Sequence, residues 1–434
     1  MKWYEGKTKN HEYYVYNGKA KNKYILKSLN ITSQSCEDLS DFFFNEKLEI
    51  TISNKRVQKA INDCFMQNGF LDNANSLMQL VEALGTGAFV PYLDEGVLRI
   101  NYLDATNIVI LNATKKEVKE VLFWTKTKTL DGEIITINAH ILDKNSNYII
   151  YNRKYERKND SSSYQKIDMG DLEEVKTNSV IPKFAMLFTP RINNLDINSP
   201  YGISSYANAT DIILGIDKVY DSLDNEIWLG RKRVYVSSGA TSFNVDENGN
   251  MTPIFDPTDV AFYAVPGKDE KEILKESSFD LRIEELTQAL QAQLNLYTSK
   301  VGLGHNYYKF KDGEVYVNTD NVMSSNSDVY RKIKKQENII TKAITQLCYA
   351  IADLLGLSGT FSVSVNYDDS IIEDTEKTRS QAQTEYNSKL ISKAQYYRDV
   401  YKLKDEEALQ FAEQMNEEIK NQTIVDGSEF GLDE

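Results

Sequence analysis

The distribution of proline constrains this chain more than any other feature of its sequence. All seven prolines lie between Pro91 and Pro266, and residues 267–434 contain none. Proline removes a backbone donor and clashes with the preceding helical turn, so a long stretch without it permits long helices. The sequence therefore predicts a mixed or strand-rich first part and a mainly helical last part, in an α+β fold.

Three segments have the apolar spacing of long helices. In residues 203–230, apolar side chains step by three and four along the chain, at Ile213, Ile216, Tyr220, Leu223 and Ile227. This is a seven-residue pattern, and similar spacing predicts helices over about 281–300 and about 327–356. Such stripes pack either inside a bundle or between copies of a chain. We assign the five residues of the first stripe to subunit packing.

Alternating strands separate this helical part from an earlier one. Residues 36–84 have helical spacing, and Gly85–Tyr92 predicts a turn that feeds short strands. We expect an antiparallel sheet with strands at 97–102, 108–111, 118–126, 133–142 and 148–154. Asp131-Gly132 predicts a hairpin turn within it. Residues 1–35 are predicted to be an extended arm or weak strands, 156–180 a polar loop, and 234–279 a small β-rich insertion.

The charge of the chain excludes several classes of function. There are 64 Asp+Glu against 50 Lys+Arg, a net charge of −14. Residues 368–434 hold 17 of the acidic and 8 of the basic residues, so this segment carries a net charge of −9 out of the total of −14. This balance argues against a protein that coats nucleic acid through bulk charge. No stretch approaches the ~18 apolar residues of a membrane span, so we expect no membrane partner. The odd number of widely separated cysteines favours a reducing cytoplasm.

No motif for catalysis, cofactor binding or metal binding stands out. Gly85-Thr86-Gly87 lacks the Gly-Lys-Ser/Thr that completes a phosphate loop. The three cysteines, Cys36, Cys64 and Cys348, are far apart and are predicted to be free, buried thiols. The three histidines, His11, His140 and His305, have no second ligand at metal spacing and are expected at the surface or partly buried. We therefore predict a protein that is not an enzyme and has neither cofactor nor metal.

Two polar features of the sequence bear on whether the chain meets a polyanion. The predicted helix at 281–300 has one apolar side, and its other side carries Glu284, Glu285, Gln288, Gln291 and Gln293. Acidic and amide groups do not hold phosphates, so DNA would slide past such a face. The basic residues of 331–335 lie near the start of the next helix, where cations oppose the helix dipole. They are either solvated charges or contacts to an anion.

Three blocks of sequence, taken in order, resemble the portal proteins of tailed bacteriophages, in particular the SPP1-like portals of phages of low-GC Gram-positive hosts. The first is Ser199–Ser205 running into Asp217–Glu226, and the second is Thr319–Ile333. The third is Asp368–Ile372, followed by Lys389–Arg398 and Asp405–Ala408. Together with Gly85–Tyr102, the likeness covers most of residues 40–420.

The resemblance implies a portal fold in a ring of about twelve subunits at one capsid vertex. It divides the chain into an N-terminal arm, a mixed α/β wing, two stem helices around a small β-rich clip, a tunnel loop, a long wing helix with a strand, and an acidic α-helical crown and tail. The arm is 1–35, the wing 36–202, the first stem helix 203–233 and the clip 234–279. The second stem helix is 280–303, the tunnel loop 304–328, the wing helix with its strand 329–367, and the crown and tail 368–434.

The resemblance also implies partners and site residues. A terminase motor, through its large subunit, would package double-stranded DNA through the channel, and the DNA would later be ejected. Head–tail adaptors, the major capsid protein and a scaffolding protein would also bind. The protein would be assembled in the host cytoplasm and located in the virion. Channel candidates are Glu284, Gln288, Gln291, Lys309 and Lys311, and terminase or adaptor contacts are Asp246, Glu247, Asn248 and Asn250.

Two other interpretations stay open at this point. The chain could be a cytoplasmic enzyme or regulator with a helical dimerisation region, for which a compact dimer would be expected. It could also be another ring-forming virion connector, such as a tail or baseplate adaptor. Burial of the glutamine-rich side of residues 281–300 would favour the second alternative.

Overall fold

The computed structural model describes most of the chain. The described residues are 1–7, 11–16, 21–45, 48–114, 117–159, 161–230, 233–237, 243–245, 251–253, 262–265, 274–277, 280–311, 314–317, 326–357, 359–367, 382–401, 403 and 407–415. Much of the predicted clip and crown therefore lies outside them.

The first part of the chain combines a hairpin with three helices. Its elements are β1 (Glu12–Tyr16), β2 (Lys21–Ile25), α1 (Ile31–Asp41), β3 (Glu49–Ile52), α2 (Lys55–Gln67) and α3 (Phe70–Leu84). The predicted arm, residues 1–35, therefore contains the paired strands β1 and β2 and the start of α1. The expectation of continuous helical structure over 36–84 is wrong at β3. Its alternating Ile and Thr residues pair with β20 (Val363–Asn366), a partner much later in the chain.

Two antiparallel sheets follow. The smaller has the order β12-β4-β5, from β4 (Thr86–Asp94), β5 (Val97–Asp104) and β12 (Ala185–Phe188). The larger has the order β10-β9-β8-β7-β6, with β11 also paired to β9. Its strands are β6 (Ile108–Thr114), β7 (Glu117–Lys128), β8 (Gly132–Leu142), β9 (Tyr148–Lys158), β10 (Gln165–Ile167) and β11 (Glu174–Lys176). The five predicted strands are confirmed, but they belong to two sheets and not to one, because β5 pairs with β4. The predicted turn at Gly85–Tyr92 is wrong from Thr86 onward, where β4 begins. The predicted loop at 156–180 is wrong in part, because β10 and β11 both pair with β9.

A helix pair encloses the β insertion. Helix α4 (Thr210–Leu229) precedes it and helix α5 (Ile283–Val301) follows it. The described strands between them are β13 (Arg233–Ser237), β14 (Phe243–Val245), β15 (Met251–Pro253), β16 (Phe262–Val265) and β17 (Leu274–Ser277). Strand β13 pairs parallel with β16 and antiparallel with β17.

Helix α4 begins later than the predicted residue 203. The backbone of 202–205 hydrogen-bonds to other parts of the chain: Gly202 N donates to Thr86 Oγ1 at 2.9 Å, and Ser205 N donates to Glu82 O at 2.9 Å. Gly202 also lies so close to Gly85 that a Cβ on Gly85 would be 2.5 Å from the Gly202 carbonyl carbon. These contacts replace helical hydrogen bonds and delay the helix.

The last part of the chain holds the longest helix. A hairpin of β18 (Tyr308–Lys311) and β19 (Glu314–Val317) precedes α6 (Asn326–Leu354), and α7 (Lys393–Tyr401) follows β20. The predicted tunnel loop at 304–328 therefore contains two strands. The helices predicted at 281–300 and 327–356 are confirmed within three residues at each end.

One large core joins these elements. It contains buried side chains from α1 to α6, among them Ile31, Ile61, Ile216, Leu294 and Ile344. A smaller core lies under the large sheet and includes Val121, Phe123 and Phe184. The three cysteines are free and buried, as predicted. In the described parts of the chain, no helix is both long and apolar enough to cross a membrane.

Candidate channel surface and its supports

Helices α4 and α5 pack side by side and are closed at one end by an ion pair. Ile213 and Ile216 of α4 share a core with Leu290 and Leu294 of α5. Where the chain returns from the insertion, Arg282 Nη2 donates to Glu226 Oε2 at 2.9 Å, and its backbone N–H also reaches this carboxylate. These hydrogen bonds to Arg282 hold the pKa of Glu226 below its usual value. The ion pair therefore fixes both ends of the insertion together.

The five residues assigned to subunit packing have different environments. Ile213 and Ile216 are buried within the chain itself, whereas Tyr220 and Leu223 are half-buried. Ile227 is 56% exposed. A side chain that is fully covered within its own chain offers no surface to a neighbouring copy. Tyr220, Leu223 and Ile227 are therefore the members of this set that remain available for contact between subunits.

The polar side of α5 divides into an exposed part and a structural part. Glu284 and Gln288 are exposed one turn apart, and Gln288 Nε2 lies 3.4 Å from Glu284 Oε1. Gln291 instead holds the next strand: its Oε1 accepts the Phe310 N–H at 2.9 Å, and its Nε2 donates to Tyr308 O at 2.8 Å. Since both ends of the Gln291 amide are occupied, this side chain attaches β18 to α5.

Strand β18 follows the two-residue alternation of a half-buried strand. Tyr308 and Phe310 are buried, and the Tyr308 hydroxyl donates to the Asp38 carboxylate on α1. Burial raises the pKa of Asp38 to about 6. Lys309 is half-exposed, and the side chain of Lys311 lies outside the described residues. The strand thus presents Lys309 at its more open face.

The predicted terminase or adaptor contacts, Asp246, Glu247, Asn248 and Asn250, lie outside the described residues. In sequence they fall between β14 and β15, which pair antiparallel. Their assignment stays a prediction.

An unforeseen feature is an acidic row on α4 that holds the N-terminal arm. Asp217 is buried, and it accepts hydrogen bonds from Leu29 N at 2.9 Å and from Ser28 Oγ at 3.1 Å. Its carboxylate also lies 2.7 Å from His11 Nε2. Burial raises the pKa of Asp217, while these donors act in the opposite direction. One and two turns further on, Lys27 contacts Asp221 and Asp224. In the sequence, this row is visible only as the helical spacing of Asp217, Asp221 and Asp224.

The histidines were predicted to lie at the surface or to be partly buried, and this is wrong for two of the three. His11 is buried against Asp217, and His140 is buried beneath the large sheet. Burial lowers the pKa of His140 to about 3, with the nearby cation of Lys183 acting in the same direction. His140 is consequently neutral at physiological pH, while His305 is exposed as predicted.

A basic cleft lies at the C-terminal end of α5. It has a volume of about 490 Å³, and its lining includes Glu82, Arg191, Lys300, Lys332 and Lys335. Arg191 donates to the carbonyl oxygen of Lys300 at 2.8 Å and also to that of Val301, so it satisfies the end of the helix. Burial raises the pKa of Glu82 to about 7, although Arg191 attracts its charge. A carboxyl group in this position changes charge near neutral pH.

Two of the four basic residues in 331–335 line this cleft, together with Ile333. Helix α6 begins at Asn326, so these cations lie beyond its first turn, where the dipole effect has declined. Lys332 and Lys335 line the cleft, and Lys334 pairs with Glu337 at 3.0 Å. Across the described ranges, no group of three or more His, Cys, Asp or Glu side chains could hold a metal ion.

Comparison with known families now defines the class of protein. The family model described as "Phage portal protein, SPP1 Gp6-like" matches residues 1–422, and the chain is therefore a phage portal protein. Within that class it belongs to the SPP1 Gp6-like family. No curated protein matches the chain. The portal family is structural rather than enzymatic, and membership implies assembly into a ring, interaction with packaging and capsid components, and a place in the virion capsid.

Proposed function

We propose that this chain forms a ring-shaped channel at one capsid vertex, through which double-stranded DNA is packaged and later ejected. The observation that carries the proposal is the portal-family match over residues 1–422. The exposed Glu284 and Gln288 on α5 support it, because an acidic and an amide side chain give a polyanion no fixed cationic site, and the neighbouring Arg282 is paired with Glu226. Lys309 on β18 is the candidate for transient phosphate contact.

The parts of the ring follow from this proposal. Helices α4 and α5 form the stem, the insertion between them forms the clip, and the long α6 with β20 belongs to the wing. The clip would meet the large subunit of a terminase during packaging and head–tail adaptors afterwards. The major capsid protein and a scaffolding protein would surround the wing, and residues from 368 onward would form the crown. About twelve copies would close the ring.

The Arg282–Glu226 pair supports the assignment of stem and clip. It joins the last turn of α4 to the residue before α5, at the point where the chain leaves and re-enters the helix pair. The energy for DNA movement would come from the partner motor.

A charge-reversal experiment tests the channel assignment. In the double variant Glu284→Lys with Gln288→Lys, each ring gains a band of cations that can hold phosphates. We expect intact rings and slower DNA packaging into capsid shells supplied with the motor. Because phosphate contacts weaken with salt, raising the salt concentration should restore the rate.

A control is Met66→Lys, which adds one positive charge to the exposed surface of α2, whereas the double variant changes the charge of each chain by +3 on α5. It should package at the wild-type rate. A double variant that forms rings and packages at the wild-type rate at every salt concentration would remove α5 from the channel wall.

A further inference from the structure

We infer that the basic cleft at the C-terminal end of α5 is a binding site for a terminal phosphate group, either inorganic phosphate or a phosphate monoester. Four cationic side chains from three separate segments of the chain line this cleft: Arg191, Lys300, Lys332 and Lys335. All of them belong to one chain, so the site does not depend on the proposed channel or ring. It also accounts for two of the basic residues at 331–335, which the channel proposal leaves without a function.

Two of the cations come together around Gly302, the residue that follows α5. From an ideal Cβ position on Gly302, Arg191 Nη2 lies 3.6 Å away and Lys332 Nζ lies 3.9 Å away. A real Cβ would crowd the Lys332 side chain, whose Cδ lies 3.3 Å from that position, and the backbone φ of +110° also favours glycine. Glycine therefore lets two like charges approach one point. An anion bound there would reduce their mutual repulsion.

The end of α5 does not repel such an anion. The last carbonyl groups of a helix carry partial negative charge, which disfavours a phosphate beside them. Here the Arg191 guanidinium donates to the carbonyl oxygens of Lys300 and Val301, so a cation covers the helix end. Arg191 is half-buried, and the three lysines are exposed around it. The cleft therefore presents cations both at its opening and further inside.

The buried part of the lining has a polar group that needs a donor. Gln336 is 2% exposed, and its Nε2 donates to Phe188 O at 3.2 Å. Its Oε1 is also buried and has no hydrogen-bond partner among the described residues. A buried acceptor without a donor is unfavourable, and such groups are rare in folded proteins. A ligand that brings an O–H group into the cleft would satisfy it.

The charge of the lining selects the kind of phosphate. Four cations are accompanied by one carboxyl group, that of Glu82, which is only partly ionised at neutral pH because its pKa is about 7. A phosphate monoester carries a charge of about −1.5 to −2 at pH 7, whereas each phosphate of the DNA backbone carries −1. A terminal phosphate that keeps one proton also has an O–H donor for Gln336 Oε1, and a backbone diester has none. The lining therefore suits a terminal phosphate better than a DNA backbone.

The remaining lining is apolar and could contact the organic part of a monoester. It consists of side chains from α1, from the segment after β12, from α5 and from α6, namely Leu39, Phe43, Pro190, Ile192, Val301 and Ile333. The cleft volume of about 490 Å³ is within the usual range for small-molecule sites, which combine apolar walls with a few polar groups.

Equilibrium dialysis with radiolabelled inorganic phosphate tests the site in the full-length chain. At pH 7 we expect saturable uptake of one phosphate per chain. The double variant Lys332→Gln with Lys335→Gln should bind at least about tenfold more weakly, because it loses two charge-assisted contacts at exposed positions without a change of fold. The matched control is Lys55→Gln with Lys59→Gln, which removes the same two charges one turn apart on the exposed surface of α2. It should bind as the wild type does. Uptake that does not saturate, or equal losses in the two double variants, would overturn the site.

Glu82→Gln tests the same site with the opposite sign. At pH 8 the wild-type carboxyl group is mostly ionised and repels the ligand, so Glu82→Gln should bind phosphate at least about threefold more tightly. At pH 6 the carboxyl group is mostly neutral, and the two proteins should bind alike. Comparing them at the same pH cancels the titration of phosphate itself. The other titratable and charged groups of this region are Cys36 of α1, whose thiol burial keeps neutral, Arg191, Lys300 of α5, and Lys332 and Lys335 of α6. Weaker binding by Glu82→Gln at pH 8, or the same ratio at both pH values, would contradict the site.

Competition with unlabelled compounds identifies the source of the phosphate. Tighter binding of phenyl phosphate than of inorganic phosphate would assign the site to a monoester, and equal binding would assign it to inorganic phosphate. A blunt DNA duplex without terminal phosphates has only diester groups and should not displace the label at the same phosphate concentration. Displacement by this duplex would show that the cleft binds the DNA backbone and would overturn the assignment to a terminal phosphate.

Discussion

Replacing Glu82 by Gln should remove a pH dependence from the stability of the fold. Glu82 is buried at the basic cleft, and its pKa is about 7 in the folded chain against an ordinary value of 4.5. A gap of about 2.5 pKa units corresponds to about 3 kcal/mol, at ~1.36 kcal/mol per unit. Because the pKa of Glu82 is higher in the folded chain than in the unfolded chain, folding favours the protonated carboxyl group. The fold therefore has its full stability below pH 4.5, where Glu82 is protonated in both states. This stabilisation is lost as the pH rises through 7.

The assay is urea unfolding of wild type and variant between pH 4 and pH 8.5, at one protein concentration. Gln keeps the size of the side chain but never ionises, so the two proteins should be similar near pH 4.5. The variant should become more stable than the wild type by about 3 kcal/mol above pH 8. Glu284→Gln, at an exposed position on α5, is the control and should change little. If the free energies of unfolding of wild type and Glu82→Gln differ by the same amount from pH 4 to pH 8.5, the raised pKa of Glu82 is refuted.

Three further substitutions test the supports of the helix pair. Ile216→Asp places an unpaired charge in the core between α4 and α5 and should cost more than about 3 kcal/mol, measured as a lower denaturant midpoint or loss of folded protein. Gln291→Ala leaves the Phe310 N–H without its acceptor and should cost about 1–3 kcal/mol, measured by thermal unfolding; an unchanged melting temperature would contradict the role of this amide. Asp217→Ala removes the acceptor of the Leu29 N–H and the Ser28 hydroxyl, and the carboxylate beside His11. It should weaken arm binding by about 2 kcal/mol, which is about 30-fold in the opening equilibrium of the arm. Limited proteolysis within residues 1–30 would measure this opening, and an unchanged cleavage rate would contradict the role of Asp217 in holding the N-terminal arm.

The parts of the fold that local spacing determines were predictable. The ends of α5 and α6 follow from a proline-free sequence with apolar residues at steps of three and four. The meander of the large sheet follows from alternating residues and the Asp131-Gly132 turn. In these helices and strands, the secondary structure is determined by residues that are close together in the sequence.

The parts that depend on distant partners were not predictable. Strand β3 forms because Val363–Asn366 lies beside it, and a helical prediction for 36–84 cannot include that partner. Asp217 has the sequence environment of a solvated helix face, yet it is buried because the arm from His11 to Leu29 crosses it. Gln291 was grouped with the other polar residues of α5, but the turn into β18 brings two backbone groups to its amide. In each case the decisive contact joins segments whose pairing no local pattern records.

The most direct test of the channel proposal is the mass of the purified protein in solution, with negative-stain images of the same sample. One chain has a mass of 49.6 kDa. Closed rings with a central hole and a mass near twelve chains are the predicted result. A compact dimer without a hole, at every concentration measured, would contradict it.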